Sequence, residues 1–290
     1  MVTQQRRNSS LKSWFLLTRP YSWINVVMVV ILTLAFTKGV TFDSYLVVSI
    51  IVGLLFWNSG VFLHDYLNKD VIGRRTGFPS LSLILPLAIL VIILALTAPE
   101  AILILLVSLV TVFLYNLKSK KLRISYLLFL FRPFTEIGII YSVALIEKIS
   151  IFNPNLLTLS IIVYLIFVSR NIIGDVRDYE NDKYTLPKSF GRNITYLASS
   201  VFLIVLIYIN QINYSIIPLL FILVLIYLRV NAYGLHKLYV LCTTFYFSML
   251  LLQLNVNAIF VMVLLFIGFV LYNTYSIIPR KSNKYRPDWV

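Results

Sequence analysis

Charge is what this sequence has least of. Only 12% of its 290 residues are Asp, Glu, Lys or Arg, against roughly 25% in a soluble domain, and only 11 are acidic. That scarcity excludes an ordinary soluble fold and a charged disordered chain. There is one cysteine, Cys242, so an intrachain disulfide framework is impossible and a Cys-based metal site lacks ligands. Glycine and proline, 10 of each, are too few for a collagen-like repeat. What is there is apolar: 60% of the residues are hydrophobic and the mean hydropathy is +0.89. Such a chain takes lipid as its solvent, and at ~20 residues per spanning helix its length allows about nine to eleven spans.

Apolar runs at 21–37, 44–64, 80–97, 101–117, 125–145, 155–174, 194–210, 214–230, 237–254 and 257–278 predict an all-α polytopic membrane bundle of nine to ten transmembrane helices. The short separator Asn255-Val256-Asn257 leaves the choice between nine and ten open. The runs are too long and too continuous for alternating barrel strands, and helices satisfy their backbone hydrogen bonds internally. A single domain over 1–290 is expected, with a polar basic tail at 1–19 and another at 280–290. The first tail lacks the small-residue cleavage site of a signal peptide, and Trp14-Phe15-Leu16-Leu17 reads as an interfacial stretch.

The net charge of +14 comes from 25 Lys and Arg against the 11 acids. In a soluble protein that excess would raise nucleic-acid binding. Here no folded polar domain is available for it, and membrane topology is the better reading. With ten spans and a cytoplasmic N-terminus, 22 of the 25 basic residues fall on the cytoplasmic side, as the positive-inside rule requires. Lys38 and Lys148 fall outside, and Arg132 lies within a span. Both tails are then cytoplasmic, and a cell membrane is the expected location.

The few acids gather. Asp65 and Asp70 lie between the second and third spans; Asp175, Asp178, Glu180 and Asp182 lie between the sixth and seventh. Charge at a membrane helix end is costly unless paired or metal-bound. Asp175, Asp178 and Asp182 are spaced i, i+3, i+7, which on a helix places three carboxylates on one face. A hard cation such as Mg²⁺ would relieve their repulsion and use phosphate oxygens as further ligands. The competing reading is a solvated helix end pairing with Arg177, Lys183 and Lys188. Asn58, Asp65 and Asn68 again share a helical face, and Asp65-Tyr66-x-Asn68 echoes Asp178-Tyr179-x-Asn181, the pattern of an internal repeat with a site between its halves.

The layout resembles the UbiA-type intramembrane prenyltransferases, which carry two Asp-rich motifs at cytoplasmic helix ends, after the second and sixth spans. Their second motif is similar to Arg170, Asp175, Asp178, Asp182, Thr185-Leu186-Pro187 and Gly191, with Asn171 where Glu is common. Arg19-Pro20 and Tyr115-Asn116-Leu117-Lys118 match smaller family patterns. The first motif departs: His64, Asp65, Asn68 and Ile72 stand where the family has Asn-Asp-x-x-Asp-x-x-x-Asp, and Arg74-Arg75 replaces a later Arg-Pro pair.

The resemblance implies transfer of an isoprenoid chain from a prenyl diphosphate to an aromatic or other lipid-precursor acceptor. It implies Mg²⁺ held by Asp65, Asp70, Asp175, Asp178 and Asp182, with Asp65, Asp175 and Asp178 as the catalytic carboxylates. Asn68, Arg74, Arg75, Tyr115, Lys118 and Lys183 would meet the diphosphate. Metal and cations would neutralise the leaving diphosphate, and aromatic faces would hold the allylic cation. A membrane terpene cyclase of the same superfamily, and a non-catalytic lipid-binding or transport protein, remain as alternatives. Arg132 and Glu136, at i, i+4 on the fifth span, read as a buried ion pair or as cavity lining. His236 reads as a loop residue beside Lys237.

Overall fold

The computed structural model describes residues 15–16, 18–68, 79–116, 125–179, 185–209 and 214–277. Its helices are α1 (Trp23–Thr37), α2 (Ser44–Asn68), α3 (Pro79–Thr97), α4 (Ala101–Asn116), α5 (Phe134–Ile146), α6 (Pro154–Arg177), the short α7 (Leu186–Phe190), α8 (Arg192–Ile209), α9 (Ile217–Tyr227), α10 (Ala232–Gln253) and α11 (Ala258–Tyr272). No strand occurs among the described residues. Among the described residues seven helical segments are long and apolar enough to cross a membrane, and Ile84–Thr97, Ala101–Asn116 and Ile217–Tyr227 are shorter apolar helices. Together they form the apolar helices of a polytopic membrane bundle.

The chain marks its helix boundaries with a repeated device. Lys148, Arg229 and Asn255 take the left-handed conformation, with φ of 56°, 51° and 59°, which ends a helix. A few residues on, Asn153, Asn231 and Asn257 open the next one. Each Asn Oδ1 accepts from the backbone N–H two residues ahead, at 2.9 Å in all three cases. The separator Asn255-Val256-Asn257 is thus both a stop and a start, and it divides α10 from α11.

Three boundaries differ from the sequence expectation. The fifth span is broken: residues 125–131 form a 3₁₀ segment, and α5 begins only at Phe134, because Pro133 has no N–H to give a helix running in from before it. The tenth helix, α10, starts at Ala232, so His236 sits inside a helix and not in a loop. The sixth, α6, runs to Arg177 and stops; Asp178 is its C-cap, with φ −93° and ψ 13°. Asp175 is thus in the helix and Asp178 just past its end, and Asp182 lies outside the described residues.

At the centre stands α1. Met28 through Leu32 are all 0% exposed, and the helix packs against α2, α5, α6, α10 and α11. Next to it, α5 contacts α2, α4 and α6. A Cβ on Gly138 would run into Ser108 Oγ and come within 2.6 Å of Phe56 Cζ, so this glycine sets how closely α5 approaches α4 and α2. The other helices turn apolar side chains outward; Leu96 and Tyr208 are 82% and 81% exposed, a surface that suits lipid and not water. One end of the bundle is pinned by Glu147, which meets Lys38 Nζ at 2.6 Å and Ser49 Oγ at 3.0 Å. There Asp43 also caps α2, and the Leu46 N–H holds its carboxyl below the usual range.

Candidate functional site

The other end, where α2, α4 and α6 finish, is where the sequence expectation places a site. Asp175 lies in the last turn of α6 and is 2% exposed. Its neighbour Asp178 is gripped by Arg177, whose Nε donates to Oδ1 at 2.8 Å and Nη2 to Oδ2 at 2.5 Å. This is the two-point fork that suits guanidinium and carboxylate. The third nitrogen, Nη1, lies 3.1 Å from His236 Nδ1 and donates to Tyr275 Oη at 3.2 Å. His236 Nδ1 and Tyr275 Oη are themselves 2.7 Å apart. Tyr275 is fully buried, with the rings of Tyr21 and Tyr233 edge-on at 4.6 and 5.6 Å. The N-terminal turn, α6, α10 and the C-terminal 3₁₀ turn at Asn273–Ile277 thus converge on one guanidinium beside Asp178.

Of the expected cation partners, Arg177 does pair with an acid. Lys188 instead lies over the ring of Tyr179 at 5.5 Å, with Arg192 on the same ring at 4.6 Å. From the first motif, α2 carries Asp65 and Asn68 to its final turns, but their side chains lie outside the described residues. Asp70, Arg74, Arg75, Lys118, Asp182 and Lys183 also lie outside them. Tyr115, at the end of α4, is buried, and its ring centre is 5.7 Å from that of His64 on α2. Among the described residues no group of three or more His, Cys, Asp or Glu is arranged to hold a metal ion. Asp175 and Asp178, three residues apart with hard oxygen donors, have the ligand chemistry of a magnesium site.

A second polar level lies deeper. Arg170 is seven residues before Arg177 on α6, about 10 Å further in at 1.5 Å per residue. It is 6% exposed, so it belongs to the bundle interior and leaves the count of loop cations. Arg132 Nη1 donates to both carboxylate oxygens of Glu136, at 3.4 and 3.3 Å, and its Cζ sits 4.8 Å from the ring centre of Trp57 on α2. Arg170 lies over Phe167 at 4.4 Å and within electrostatic reach of Glu136. The i, i+4 spacing of Arg132 and Glu136 had flagged the pair. Trp57, His236 and Tyr275 carried no comparable signal, because nothing in the sequence gives their neighbours from other helices.

These features define a class: an intramembrane all-α bundle with a carboxylate-and-guanidinium site at one end. Comparison with known proteins adds the fold. The chain aligns with the apo structure of a UbiA homolog from Aeropyrum pernix K1 at a TM-score of 0.54, with 11% sequence identity, over 88% of this chain and 96% of that one. A digeranylgeranylglyceryl phosphate synthase structure aligns at a TM-score of 0.48 with 16% identity, over 92% of this chain and 96% of that one. No protein-family model and no curated protein sequence matches the chain. The chain therefore has the UbiA-type fold.

Proposed function

We propose that the protein is an intramembrane prenyltransferase of the UbiA superfamily. It moves an isoprenoid chain from a prenyl diphosphate to an aromatic or other lipid-precursor acceptor. The observation that carries this reading is the position of Asp175 and Asp178 at the end of α6, in a bundle with the fold of a UbiA homolog. Asp175 and Asp178, with Asp65, Asp70 and Asp182, would hold Mg²⁺, which when bound neutralises charge on the diphosphate. Arg177 fixes the Asp178 carboxylate in place. Asn68, Arg74, Arg75, Tyr115, Lys118 and Lys183 are assigned to the diphosphate. In the reaction the C1–O bond of the prenyl diphosphate breaks with its electron pair going to diphosphate. The acceptor forms the new bond to C1 and gives up the proton it carried there. The skew of basic residues supports placing this end, and both tails, on the cytoplasmic side of a cell membrane.

The test is incubation of purified protein with labelled C10 to C20 prenyl diphosphates and Mg²⁺, with and without acceptors. Acceptor-dependent diphosphate release is the expected result. A cyclic hydrocarbon formed without acceptor would replace transfer by cyclisation. No release with any chain length would overturn the enzyme reading.

A further inference from the structure

Three cations gather just past the end of α6. Lys188 on α7 and Arg192, the first residue of α8, both lie over the ring of Tyr179, at 5.5 and 4.6 Å from its centre. Arg229, two residues past the end of α9, lies within electrostatic reach of Tyr196, as does Arg192. All three are exposed, and none is ion-paired among the described residues. Like charges held this close repel, and Arg192 stands at a helix N-terminus, where the helix dipole disfavours a cation. The Tyr179 ring offsets part of this by cation–π attraction; an anion would offset more.

The surface leading away from the cations is apolar. On α8, Ile194, Leu197, Val201 and Ile204 form an exposed row spaced to share one face. Phe221 and Val224 are exposed on α9, which packs beside α8. Both rows lead to the basic cluster, since α8 starts at Arg192 and α9 ends just short of Arg229. We propose that Lys188, Arg192 and Arg229 bind the phosphate of an anionic phospholipid whose two acyl chains lie along α8 and α9. Charge selects the headgroup: a zwitterionic lipid would bring its own ammonium against three cations, and an anionic one would not. Guanidinium also matches phosphate oxygens in two-point geometry. The site is independent of the prenyltransferase reading. It uses none of the residues assigned to metal or diphosphate and requires only that α8 and α9 face lipid.

The experiment uses the full-length protein in phosphatidylcholine bilayers, with a tryptophan placed on the lipid-facing surface as reporter. Leu197→Trp, at a position 64% exposed on α8, reads the proposed site; Leu103→Trp, at a position 68% exposed near the opposite end of the bundle, is the control. Quenching by brominated phosphatidylglycerol is compared with quenching by brominated phosphatidylcholine, after subtraction of the signal of the unaltered protein. The anionic lipid should be preferred at least about fivefold at Leu197→Trp, the scale of one cation near an anionic headgroup, and not at Leu103→Trp. Adding Lys188→Gln and Arg192→Gln should abolish the preference, while Lys188→Arg with Arg192→Lys should keep it. Inorganic phosphate at fixed ionic strength should leave it unchanged. Equal quenching by the two lipids at Leu197→Trp, or the same preference at both reporters, would overturn the proposal. So would a preference that survives the two Gln substitutions, or one lost equally in the charge-keeping pair. Loss in inorganic phosphate would assign the cluster to a free anion and overturn the lipid site as well.

Discussion

Glu136→Gln is the substitution that tests the buried electrostatics most sharply. The change keeps shape and one oxygen acceptor but removes the carboxylate set between Arg132 and Arg170. At about 4 Å and an effective dielectric near 20, one such charge pair is worth about 4 kcal/mol. Breaking a buried pair from one side costs ~3–5 kcal/mol, because the partner is left charged and uncompensated. Glu136 should fall in that range, since its carboxylate meets Arg132 and both side chains are shielded, at 10% and 2% exposure. Adding Arg132→Met removes one stranded cation at similar volume, so the double variant should recover at least half of the loss. Lys38→Ala supplies the contrast. Its ammonium is 37% exposed, and the Glu147 carboxylate left behind keeps the Ser49 hydroxyl as a donor, so the loss should be smaller than that of Glu136→Gln. The assay is reversible unfolding in mixed micelles of mild detergent and dodecyl sulfate, followed by circular dichroism. A Glu136→Gln protein within 1 kcal/mol of the unaltered one, or a double variant no more stable than the single, would refute the argument that Glu136 holds the two guanidiniums in place.

Three further outcomes follow from the geometry. Tyr275→Phe removes the hydroxyl that accepts from Arg177 and should cost ~1.5–3 kcal/mol, the scale of a hydrogen bond to a charged group; in a double-mutant cycle with Arg177→Lys the two losses should not add, and additivity within ~0.5 kcal/mol would show that they are uncoupled. Gly138→Ala forces a methyl against Ser108 and Phe56 and should lower stability by ~1–3 kcal/mol, seen as a lower thermal midpoint; an unchanged midpoint would mean that α5 can shift at no cost. Asp175→Asn should abolish the rise in thermal midpoint given by magnesium diphosphate, a rise worth ~2.7 kcal/mol at a hundred times the dissociation constant, and should lower acceptor-dependent diphosphate release about a hundredfold or more; retention of both would remove Asp175 from the site.

Most of the fold was legible because lipid imposes one rule on every span. Hydropathy located the apolar helices, and the left-handed residue followed by an Asn cap explains why Asn255-Val256-Asn257 divides two of them. What was not legible depended on partners distant in sequence. His236 looked like a loop residue because Lys237 beside it suggested water; in the fold it meets Arg177, 59 residues away, and Tyr275, 39 residues away. The fifth span looked continuous because it is apolar on both sides of Arg132-Pro133, although the α-helix begins only after that proline. Arg170 is the most instructive miss. Reckoned by charge alone it joins the cytoplasmic cations, and reckoned by position it lies within the sixth span. The two assignments conflict, and that conflict is itself a signal. A guanidinium is retained inside an apolar helix only where something satisfies it. Here Glu136 does so in part, through a carboxylate that Arg132 also holds.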